Sequence, residues 1–136
     1  MELNGLTGFQ RSNGTVGVRN HVIVLAAADN VNPLAWQLAN SVSGVVCIRA
    51  SFGRGQMGND LDLALRTQAG IAAHPNVFGC LIVSFESESA ERIAERVRAR
   101  GRNATTLSLL DEGGSTPCLQ VGRRILTEMQ RNAELE

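Results

Sequence analysis

Four short apolar runs, each followed by a segment of helical spacing, constrain this chain more than any other feature. The runs lie within Asn20–Ala28 (His21-Val22-Ile23-Val24-Leu25), at Val45–Ile48, at Val77–Ser84 and at Ala104–Leu109. They do not alternate apolar with polar, so both faces of each strand are expected to be buried, as in a parallel sheet. The helical segments repeat their apolar residues every three or four positions: Leu34, Leu38 and Val42; then Leu61, Ala64, Leu65, Gln68, Ile71 and Ala72; then Ala90, Ile93, Ala94 and Val97; then Leu119, Gly122, Leu126, Met129 and Ala133. A β-α-β-α-β-α-β-α order with right-handed crossovers predicts a three-layer α/β/α fold, with a mainly parallel, Rossmann-like sheet of about four strands. Ahead of it, residues 1–19 are rich in Gly and polar residues and carry the turn signal Asn13-Gly14, so an N-terminal arm or hairpin is expected there. Residues 20–136 are expected to form a single domain.

Punctuation between the elements is read as follows. Asn30 or Asn32 is expected to cap the first helix, Asn59 or Asp60 the second and a serine the third, with Gly44 and Gly101 ending helices. Trp36 is expected in the core or at a subunit interface.

Composition removes several function classes. The 13 bases balance 13 acids, and every base is Arg. Without lysine there is no Schiff-base chemistry and no P-loop lysine; without a basic excess, nucleic acid is not an expected partner. No apolar run is long enough for a membrane span, and the first residues lack the charged-then-apolar pattern of a signal peptide, so a cytoplasmic protein is expected. Cys47, Cys80 and Cys118 are widely spaced, with Cys47 and Cys80 inside apolar runs, and read as small hydrophobes rather than zinc ligands.

In parallel α/β folds ligands meet the loops at the carboxyl ends of the strands. Four loops qualify: Asp29–Asn32, Ser51–Asn59, Ser84–Ser89 and Leu110–Thr116. The second satisfies G-x-G-x-x-G through Gly53, Gly55 and Gly58, where amides at a helix N-terminus attract anions and Arg54 adds a planar fork for a carboxylate or phosphate. As a dinucleotide fingerprint it is displaced, because it follows the second strand and lacks the acid expected about 20 residues on. Small-carboxylate binding, nucleotide binding and a purely conformational need for glycine all remain open from these residues alone. Glu86 and Glu88 in the third loop are suited either to a cation and acid-base work or to the dipole of the following helix. Glu112, Gly113 and Gly114 in the fourth, beside Asp111, offer acids and open amides, or simply a turn. His21, at the amino end of its strand, and His74, at a helix end, are expected to be structural; the run Arg96, Arg98, Arg100 and Arg102 reads as a solvated face.

Taken together, Gly8-Phe9-Gln10-Arg11, Gly14-Thr15-Val16-Gly17-Val18-Arg19-Asn20-His21, Gly53 through Leu61 with Leu65-Arg66-Thr67, His74-Pro75-Asn76-Val77, and Asp111-Glu112-Gly113-Gly114 with Ser115 and Gly122 resemble the altronate/galactarate dehydratase family, from about Gly8 to Met129. The resemblance implies metal-dependent removal of water from a sugar acid, with related members acting on other hydroxy acids, including sulfolactate. It also implies a middle domain that a larger C-terminal-type dehydratase subunit completes, a sugar-acid substrate, and a homo-oligomer as a further assembly. Substrate contacts are then expected from Gly53, Arg54, Gly55, Gln56, Glu88, Glu112, Gly113 and Gly114. Two family cysteine positions are replaced here, by Arg54 and Ser87. Any divalent metal is therefore expected to be held mainly by a partner subunit, with none bound by this chain alone. Arg54 is expected instead to grip a carboxylate or sulfonate through paired hydrogen bonds. The competing expectation is a non-catalytic binding or assembly module.

Overall fold

The computed structural model describes residues 2–3, 5–51 and 55–136. The N-terminal arm is a pair of small antiparallel ladders, β1 (Glu2–Leu3) with β2 (Leu6–Thr7) and β3 (Phe9–Gln10) with β4 (Val16–Gly17). Asn13-Gly14 turns the second as expected. Gly14 supplies a φ of 86°, and the Asn13 carboxamide oxygen accepts from both the amide and the hydroxyl of Thr15.

The main sheet contains β5 (His21–Ala26), β6 (Val46–Ile48), β7 (Val77–Ser84) and β8 (Thr105–Ser108), all parallel, in the order β6-β5-β7-β8. The chain starts near the middle and moves outward in both directions, so the strand order reverses between β5 and β7. Helices α1 (Asn32–Asn40) and α5 (Ser115–Glu134) cover one face; α2 (Gly58–Ala72) and α3 (Ser87–Ala99) cover the other. This is a Rossmann-like three-layer α/β/α fold.

The strand residues sort by parity, as a pleated strand buried on both faces requires. Val22, Val24 and Ala26 of β5 join Leu34, Leu38 and Leu126 beneath α1 and α5. Ile23 and Leu25 join Ala69, Ile93 and Val97 beneath α2 and α3. Leu25, Leu38, Leu81, Ile82, Ile93 and Leu126 are fully enclosed, each contributing on the order of 2 kcal/mol of burial. At Gly122 a Cβ would lie 2.5 Å from a Leu38 methyl, so glycine sets how closely α5 approaches α1.

Several local expectations are corrected. The N-cap of α1 is Val31, reached through a 3-10 turn at Asp29–Val31, and that of α2 is Met57; neither makes a side-chain cap. Asn32 is diverted: its carboxamide donates to the Ala50 carbonyl at 2.8 Å and accepts from the Ala50 amide at 2.9 Å. The cap of α3 is Glu86, not a serine. Trp36 is 53% exposed, because two residues of helix turn it away from the stripe of Leu34 and Leu38. The Asp111-Glu112 loop is partly helical, as α4 (Leu109–Glu112). In the arginine run, Arg96 pairs with Asp62 and Arg98 with Glu91, but Arg102 is buried and donates to the Val77 carbonyl at 2.6 Å.

The arm is fastened at the amino rim of the sheet. Arg11 is 8% exposed; its Nε donates to the Pro75 carbonyl at 2.7 Å, and its Nη2 to the Arg19 carbonyl and the Asn20 carboxamide. Asn20 in turn donates to the Ala133 carbonyl near the end of α5. A Cβ on Gly17 would lie 2.0 Å from the Pro75 oxygen, so only glycine permits this approach. His74 Nδ1 accepts from the Asn76 amide, a structural role as expected, whereas His21 is exposed.

Candidate functional site

The carboxyl rim presents its loops in the order set by the strands. The glycine segment follows β6, residues 27–31 follow β5, Phe85-Glu86 follows β7, and α4 with its glycines follows β8. At roughly 4.8 Å between neighbouring strands, the roots of the first and third loops lie about 10 Å apart on one rim. Gly53 and Arg54 fall outside the described residues. Gly55 and Gly58 have φ of 79° and 58°, with open space where a Cβ would stand, so the turn needs glycine for its backbone conformation, not for room.

Below this turn lies a cavity of about 320 Å³ between the ends of β5 and β6 and the middle and last turns of α2. Leu25, Ile48 and Ile71 form its apolar wall; Arg49, Ser51, Gln56, Thr67 and Gln68 bring polar groups. Gln68 donates to the carbonyls of Ala26 and Ala27 at 3.2 and 3.0 Å, using its amide to finish the end of β5, and its carboxamide oxygen has no hydrogen bond to the described residues. A volume of this order suits a small acid.

The remaining expected site residues are arranged differently. Glu88 does not line the cavity; its side chain is 75% exposed and pairs with Arg92 at 2.6 Å. The neighbouring Glu86 is the committed one. Its carboxylate accepts from the amide of Ser89 at 3.0 Å and from the Ser89 hydroxyl. Burial by itself would raise the Glu86 pKa, but those bonds, the Glu88 amide and the charge of Arg92 together hold it below its ordinary value. At the fourth loop, Gly113 and Gly114 have φ of 85° and 133°, and their amides donate back to Leu110 and Leu109. The expected open amides are thus already engaged in ending α4. Glu112 lies near Cys118, whose thiol burial, reinforced by that carboxylate, pushes to about 11.

Sequence reasoning did not single out Arg49, Ser51, Thr67 or Gln68. Gln68 carried a signal, since it is a carboxamide at a position of the apolar stripe of α2. Arg49 and Ser51 precede the glycines and lack any pattern of their own.

Burial also raises the Cys80 thiol to about 12 and lifts that of Cys47 against the opposing pull of Arg49, so the thiols stay protonated at neutral pH. Among the described residues, no three His, Cys, Asp or Glu side chains converge as a metal site. Of the acids at the third loop, Glu88 is held by Arg92 and Glu86 by Ser89, so this pair does not fit a divalent ion by itself. Among the described residues, no helix is long and apolar enough to cross a membrane.

Comparison with known proteins places the chain in a family. The model of the D-galactarate dehydratase/altronate hydrolase second domain matches residues 8–134. The (2R)-sulfolactate sulfo-lyase subunit beta of Chromohalobacter salexigens is 34% identical across 100% of this chain and 36% of its own length. The altronate dehydratase of Bacillus subtilis is 23% identical over 93% of this chain and 28% of its own length, and that of Escherichia coli 28% identical over 65% and 20%. The chain thus spans about a third or less of the length of the curated relatives it matches. No solved structure matches it. An α/β domain with this rim, matched along nearly its whole length, belongs to the D-galactarate dehydratase/altronate hydrolase second-domain family.

Proposed function

We propose that this chain supplies part of the substrate-binding rim of a cytoplasmic lyase acting on a sugar acid or related hydroxy acid, completed by a larger polypeptide of the same family. The observation that carries this reading is the cavity beneath the glycine turn, where Arg49, Gln56 and Gln68 stand with an apolar wall of Leu25, Ile48 and Ile71. Such a site holds a carboxylate by fixed dipoles and hydrogen bonds while the carbon chain rests on Leu25 and Ile48. Gln56 and the Gly55 amide orient the acid, and Arg54 adds a second anion contact. In the elimination, a base removes the proton next to the carboxylate, the carbon–oxygen bond breaks, and an acid group of the larger polypeptide protonates the leaving hydroxyl so that it departs as water. That base, and any divalent metal, belong to the larger polypeptide. Glu88, exposed and paired with Arg92, approaches the substrate only if that polypeptide encloses the rim.

A second reading, removal of a sulfonate in place of water, is favoured by the 34% identity to the sulfolactate enzyme along the whole chain. Calorimetric titration with altronate, galactarate and sulfolactate, with and without the larger polypeptide, tests both. One of these acids is expected to bind, and Gln56→Ala to weaken it about tenfold, the loss of roughly one hydrogen bond to a charged group. Contact with the larger polypeptide without binding of any acid would instead identify a non-catalytic assembly module.

A further inference from the structure

The two helices on one face of the sheet differ in how much they bury. Helix α3 encloses Ala90, Ile93, Ala94 and Val97, whereas α2, although longer, encloses only Ala69 and Ala72. The reason is the position of β6 at the edge of the sheet. Between β6 and α2 runs an open groove of about 590 Å³, walled by Ile23, Val46, Ile48, Thr67, Gly70 and Ile71. It shares Ile48, Thr67 and Ile71 with the rim cavity, so the two adjoin along β6 and α2. Val46 is 40% exposed, on a strand that among the described residues pairs only with β5. Helix faces and edge strands are covered in stable assemblies, because apolar surface and free strand edges both favour association.

We propose that this groove seats an apolar segment of the larger polypeptide, which thereby reaches the rim cavity from the β6 side. The inference rests on the reading that such a polypeptide completes the site. Two observations select this occupant over a second copy of the chain. The sulfolactate relative devotes only 36% of its length to the part matched here, so most of that protein lies outside this domain. The groove also adjoins the rim cavity, whereas a short three-residue edge strand offers little to a self-paired sheet.

The test is photo-crosslinking in the native host, with a photo-reactive phenylalanine analogue placed at Val46 and, as a control, at Arg124 on the opposite face. The captured peptides are identified by mass spectrometry. Capture of a larger dehydratase-family polypeptide at position 46 is the expected result. Capture of that polypeptide only at position 124 would overturn the groove and leave the partner reading standing. Capture of another copy of this chain at position 46 would overturn the groove as well. Capture of no family polypeptide at either position would overturn both. In a second measurement, Val46→Asp is expected to weaken co-elution with that polypeptide roughly tenfold or more, since a carboxylate would be desolvated in the groove. The thermal unfolding midpoint of the isolated variant separates this loss from misfolding, and unchanged co-elution by a folded variant would overturn the proposal.

Discussion

The two rims of the sheet use their polar residues in opposite ways. At the amino rim, Arg11, Asn20, Pro75, Asn76 and Ala133 interlock across segments distant in sequence. The side chain of Arg11 there is 5% exposed, with Glu136 3.8 Å away. Burial lowers the pKa of Arg11 and Glu136 offsets part of that effect, so the guanidinium is held by carbonyls rather than by a close ion pair. At the carboxyl rim, by contrast, glycines lie in open space, Glu88 faces solvent, and a cavity stands beside them. Both rims contributed motifs to the family resemblance. The contrast separates those motifs into residues that make the fold and residues left free to meet a ligand.

The sharpest way to break this division is Arg11→Ala. It leaves three part-buried acceptors without their donor and should cost about 3 kcal/mol, read as a lower urea midpoint. Affinity at the carboxyl rim should be unchanged in the folded fraction; a selective loss of ligand binding with normal stability would erase the distinction. Gly17→Ala follows, at roughly 2 kcal/mol, because its Cβ would press on backbone that cannot retreat. At the other rim, Glu86→Ala should lose about 1 kcal/mol, as for other N-cap removals. The Glu86 pKa is depressed in the folded state, so its contribution is present above the unfolded carboxylate value and disappears as pH falls through the folded one. The gap between variant and parent in thermal unfolding should therefore be widest near neutral pH and narrow in acid. The smallest effect is expected from Glu88→Gln, within about 0.5 kcal/mol, because its pair with Arg92 is exposed.

The layering of the fold was legible because its signal is repeated along the chain. Continuous apolar strands and three- or four-residue helical stripes each point to the same sheet, and Ala90, Ile93, Ala94 and Val97 are enclosed as their spacing requires. Caps were less legible, since they depend on the direction in which the chain leaves a strand. Glu86 leaves β7 extended, at φ −126° and ψ 158°, so its carboxylate rather than the Ser87 hydroxyl meets the amide of Ser89. The site was legible as a set of loops at one rim but not as a cavity. Its walls come from β5, β6 and α2, and no local pattern announces that α2 leaves the β6 side open. Nor does spacing reveal that Gly113 and Gly114 spend their amides on α4.

The double hydrogen bond between Asn32 and Ala50 has a consequence for recognition. One carboxamide meets both backbone groups of a single residue, as a neighbouring strand would. It therefore extends the sheet by one rung and anchors the root of the glycine turn to the first turn of α1. If the turn binds an anion as proposed, little ordering entropy need be lost at that root, so more of its intrinsic affinity is kept in binding. Severing the rung would then slacken recognition without removing any ligand-contacting side chain.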